Sequence, residues 1–132
     1  MARKRTARKG AQVAELAILL PFLAFIFVAA IDYARIFYYY VAVTNSARVG
    51  ALYGCSNATR AADTAGIKSA AQAEAPDLSS SLDVSSRTGT DSSGNPFVTV
   101  TVTYTFTTLT QYPGIPSSAT VSRTVQMRVS PP

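Results

Sequence analysis

The stretch Leu16–Ile31, LAILLPFLAFIFVAAI, carries no charge, and no other feature limits the possible folds of this chain so much. Counted back to Ala11 it gives about 20 residues, the length of a helix that crosses a bilayer. Eleven of its side chains are Leu, Ile, Phe or Val. At roughly −0.3 to −0.6 kcal/mol each, they favour insertion by on the order of 3 to 7 kcal/mol, against about 3 for a carboxylate at mid-membrane. The apolar contribution outweighs Glu15, which also stands near the end of the span, where the penalty is smaller. Pro21 is compatible with a lipid-buried helix whose neighbours re-satisfy the carbonyl it frees.

Arg3, Lys4, Arg5, Arg8 and Lys9 all precede the span, whereas Asp32, Arg35 and, later, Arg48 follow it. This asymmetry predicts a cytoplasmic N-terminus and an exported C-terminal part. The five leading cations equal the whole formal excess of +5, so the rest of the chain is close to neutral. Their expected partner is an anionic membrane face and not nucleic acid.

Beyond the span, no strong breaker appears before Gly50 and Gly54. One helix over 11–54, with its span at about 14–32, would be roughly 60 Å long, about twice the hydrocarbon thickness. It must project. Tyr33, Phe37, Tyr38, Tyr39 and Tyr40 then fall at the outer interface, where an aromatic belt is expected. Small residues recur at helical spacing, Ala47 with Ala51 and Gly50 with Gly54, and mark a face for close helix packing.

These features together resemble the TadE-like family, the pseudopilin-like proteins of tight-adherence (Flp-type) pilus systems. The resemblance rests on a basic segment before Gly10, Glu15 at the fifth position after it, and an apolar run with an internal Leu20-Pro21. To these are added the patch Asp32, Tyr33, Arg35, Phe37, Tyr38 and the run Thr44–Ala51. Leu16 departs from the aromatic common after the Glu in related pilins, and Asp32 stands where Glu is frequent. The resemblance implies a leader over 1–10 that a prepilin peptidase removes between Gly10 and Ala11. It also implies that Glu15 neutralises the Ala11 ammonium of a neighbouring subunit, and, with this start, that the small-residue face serves helix-on-helix assembly. The implied partners are other pilins or pseudopilins through the helix, the pilus assembly platform and the lipid bilayer. The implied place is a bacterial inner membrane, crossed once.

Two other readings stay open. Val28-Ala29-Ala30 has the small-residue spacing of a signal-peptidase site, which would release a secreted binding domain from Ile31, although apolar character resumes at once in IFYYYVAV. An uncleaved single-pass anchor, with an exported sheet that binds envelope polymer, is the other.

Residues 55–132 read as a small α+β domain. Ala58–Ala75 predicts a helix that Pro76 stops. Strands are expected at about 82–86, 97–109 and 120–129, with turn formers dense over Arg87–Pro96 and a loop at Thr110–Ser118. Val98, Val100, Val102, Tyr104 and Phe106 alternate with threonines, so an antiparallel meander with the 58–75 helix on its apolar face is predicted. The threonine face meets water or a partner sheet. Cys55 is alone and cannot pair within the chain. With no His, one Cys and no Gly-rich phosphate loop, neither a catalytic constellation nor a metal or cofactor site is expected.

Overall fold

The computed structural model describes residues 4–109 and 117–131, with side chains from Gly10 onward. Most of the expected Thr110–Ser118 loop, including Pro113-Gly114 and Pro116, lies outside the described residues. One helix, α1 (Lys4–Gly54), dominates the chain. At 1.5 Å per residue its 51 residues extend about 76 Å. It begins seven residues before the expected start at Ala11. The Arg, Lys and Ala of the basic segment are good helix formers, and Gly10 alone does not interrupt them.

The expected helix over 58–75 is instead two, α2 (Ala58–Ala62) and α3 (Thr64–Glu74). Asp63 divides them. It leaves helical geometry at φ −81°, ψ 81°, and its Oδ1 accepts from the Gly66 amide at 2.9 Å, capping α3. Tyr53 holds the other carboxylate oxygen at 2.9 Å from its hydroxyl. Asn57 caps α2 in the same way, accepting from the Arg60 amide at 2.8 Å. Such caps satisfy amides that a helix start leaves unpaired. Pro76 ends the run as expected and opens a short 3₁₀ turn, Pro76–Leu78.

Three strands, β1 (Asp83–Thr90), β2 (Pro96–Thr107) and β3 (Ser118–Arg128), form an antiparallel meander in the order β1-β2-β3. β1 runs four residues past its expected end because Gly89 accommodates the Phe97 ring opposite it; a Cβ there would stand 2.5 Å from the ring. The turn is thereby reduced to five residues, 91–95. Asp91 organises it by accepting from the amides of Ser93 and Asn95 at 2.9 and 2.8 Å, and Gly94 supplies the positive φ of 80°.

α3 packs at the apolar face of the sheet as expected of the 58–75 helix, and α1, which the expectation left out, covers β2 and β3. The core joins Val43, Ala47 and Ala51 of α1 to Ile67 and Ala71 of α3 and to Val98, Val100 and Val102 of β2. Opposite this face, the threonines of β2 pair with hydroxyls of β3: Thr101 with Thr124, Thr103 with Ser122 and Thr105 with Thr120, at 2.9 to 3.0 Å.

Candidate assembly helix

α1 has two halves with different surroundings. Every residue from Gly10 to Val28 is exposed, including Ile18 at 76% and Phe27 at 67%. Among the residues whose side chains are described, the first buried one is Asp32, and from there the helix is built into the domain. An apolar rod so bare is unstable in water, because nothing among the described residues removes that surface from solvent. It is long and apolar enough to cross a membrane once.

Gly10, Ala11 and Glu15 all lie on this bare half, and all are exposed. A Cβ at Gly10 would meet nothing within 4 Å, so the fold supplies no packing reason for glycine there. Ala11 and Glu15 are one helical turn apart and share a face. In a helix beginning at Ala11, Glu15 would lie in the positively polarised first turns. Its neighbours along the helix, such as Leu16 and Leu19, are apolar and also exposed.

Gly50 and Gly54 are used differently from the expectation of assembly between subunits. A Cβ at Gly50 would lie 3.2 Å from the Ala71 Cβ and 3.3 Å from Val100; one at Gly54 would lie 3.1 Å from Ile67 and 3.2 Å from Val98. Ala47 and Ala51 are fully buried in the same seam. The close approach that small residues permit therefore takes place inside the chain, between α1, α3 and β2.

The aromatic set divides likewise. Tyr33, Phe37, Tyr38 and Tyr40 are exposed at 76, 69, 54 and 43%. Tyr39 turns inward, with its ring 4.9 Å from Tyr104 and 5.3 Å from Phe106. Burial pushes the Tyr104 hydroxyl above its ordinary value. Tyr40 lies under the Arg123 guanidinium at 4.1 Å. An interfacial belt can draw on Tyr33, Phe37 and Tyr38, but not on Tyr39.

Asp32, read from the sequence as one member of a charged and aromatic patch, is the polar centre of the junction between the two halves. It is 7% exposed, its Oδ1 accepts from the Leu109 amide at 3.1 Å, and Arg35 stands 3.6 Å away. Arg35 in turn reaches the Tyr39 hydroxyl at 3.4 Å. The group fastens the end of β2 to α1 at the residue where the apolar run stops. Its signal was present: Asp32, Arg35 and Tyr39 are spaced to share one helix face, and Asp32 is the sole acidic residue between Leu16 and Ala62.

Residues 10–52 match the family model described as TadE-like protein. The match takes in the bare half of α1 and nearly all of the packed half, and it stops before α2 and the sheet. No curated protein and no solved structure matches the chain.

Proposed function

We propose, from a TadE-like N-terminal helix whose first half is left bare by its own fold, that this chain acts structurally as a pseudopilin in building or initiating a tight-adherence pilus. The bare half carries the proposal, since 10–28 are exposed throughout while the domain is complete without them. The basic segment stays cytoplasmic, and a prepilin peptidase cuts between Gly10 and Ala11. The span then holds the chain in the inner membrane, with the sheet outside. Gly10 fits this role, since it costs a helix about 1 kcal/mol relative to Ala and a Cβ there would meet nothing within 4 Å. Glu15 meets the new Ala11 ammonium of a neighbouring pilin or pseudopilin. Two such charges at the edge of low dielectric gain more from pairing than they would in water. The chain performs no chemistry itself; it is the peptidase's substrate and a component handled by the assembly platform.

The test is Gly10→Leu expressed with the peptidase. The proposal expects the variant to keep its first ten residues, visible as a larger apparent mass, and to disappear from sheared surface filaments. An unchanged mass pattern would refute it.

A second reading has one observation in its favour: buried residues begin at Asp32, so a chain released at Ile31 would keep the whole domain. Secretion predicts recovery from the soluble fraction with Ile31 first, and membrane fractionation with N-terminal sequencing distinguishes the two.

A further inference from the structure

β2 runs antiparallel alongside the packed half of α1. Val98 lies against Gly54, Val100 against Gly50, and Phe106 against Tyr39. The sheet therefore has a fixed direction relative to the span. Its β1–β2 hairpin points away from the bilayer, and the far ends of β2 and β3 point toward it. At that end the Leu109 amide is bonded to Asp32, the residue that follows the last apolar residue of the span.

The two ends differ in charge. The distal end carries Asp91 paired with Arg128 at 3.3 Å, and Arg87 stands nearby in β1. Toward the span, the last charged strand positions are Asp83, opposite Thr103, and Arg123, opposite Val102. Tyr104–Thr107 and the facing Ser118–Val121 bear none, leaving about 13 Å of strand without charge. Asp32 and Arg35 neutralise each other at the same level. Leu109 is 62% exposed there, and Tyr33 and Phe37 are exposed on α1 within two turns. An uncharged strand end, a protruding leucine and exposed aromatic rings suit the headgroup zone of a membrane, whose apolar boundary starts one residue away.

We propose that the span-proximal end of the sheet rests on the outer surface of the bilayer, with Leu109 in the interfacial zone and Asp32 fixing its depth. The lipid surface is thus a second contact of the exported domain, and the domain stands upright on it. This rests on the membrane reading of α1, and the experiment separates the two.

The chain contains no tryptophan, so single substitutions Leu109→Trp, Ser93→Trp and Phe27→Trp each report from one place. The full chain is reconstituted in phosphatidylcholine and phosphatidylglycerol vesicles and quenched with lipids brominated near the headgroup or with aqueous acrylamide. Leu109 and Ser93 are exposed, so neither substitution disturbs the core. The proposal expects brominated lipid to remove most of the emission from position 109 and little from position 93, with acrylamide giving the reverse order. If position 27 is shielded in the bilayer while position 109 behaves like position 93, the lipid contact is overturned and the span stands. Protection of position 109 from both quenchers would assign its cover to protein and would also overturn the proposal. Loss of acrylamide shielding at position 27 would overturn the membrane reading itself.

Discussion

Gly10 and Gly50 sit on one helix but relate to the fold in opposite ways. Around Gly10 there is open space; around Gly50, the Ala71 Cβ, Val100 and the Ile67 carbonyl lie within 3.2 to 3.4 Å of where a Cβ would be. A backbone oxygen and a helix methyl cannot swing aside. Gly50→Val should therefore cost about 1–3 kcal/mol by overpacking, measured by denaturant unfolding in detergent, whereas Gly10→Ala should leave the domain's transition unchanged. The carboxylates of Asp63 and Asp91 give the domain an acid edge. The Gly66 amide and the Tyr53 hydroxyl hold Asp63 below the ordinary 3.8, and the Asn95 amide chiefly does the same for Asp91. A lowered folded-state value means that stabilisation is present above the unfolded value and is lost as pH falls through the folded one. Melting temperature should thus fall as pH drops below 3.8, and the Asp63→Asn, Asp91→Asn double variant should show a shallower fall. An identical acid profile in the two proteins would contradict this assignment.

α3 is the element that joins the small-residue seam of α1 to the sheet, and Ile67, fully buried, is its wedge. Ile67→Ala should destabilise the domain by about 2–5 kcal/mol, read from the shift in denaturant midpoint. The strands were legible in advance because strict alternation from Val98 to Phe106 admits one period and one buried face. The division at Asp63 was not: the 58–75 composition favours helix throughout, and a tertiary bond from Tyr53 helps make Asp63 a cap. Nor was the cover of the sheet legible. Small residues at four-residue spacing announce that something comes close to α1, but they carry no information on whether it belongs to the same chain. For the candidate site, Gly10, Ala11 and Glu15 stand within one segment, and their roles come from its resemblance to the TadE-like family. The Asp32–Leu109 bond joins positions 77 apart in sequence, and only the folded chain brings them together.

At the scale of the whole molecule, the packed domain begins at Asp32 and a bare apolar rod precedes it. A fragment starting at Ile31 should keep the cooperative transition and secondary structure of the full chain, checked by circular dichroism on heating; loss of that transition would mean the rod supports the fold. Under the proposed function the rod would serve lipid and other subunits, and trimming at its inner end would ready it for them. The most direct measurement is the intact mass of the native polypeptide recovered from membranes of cells that make the filament. The account predicts a chain whose first residue is Ala11; one that still begins at Met1, or begins at Ile31, would contradict it.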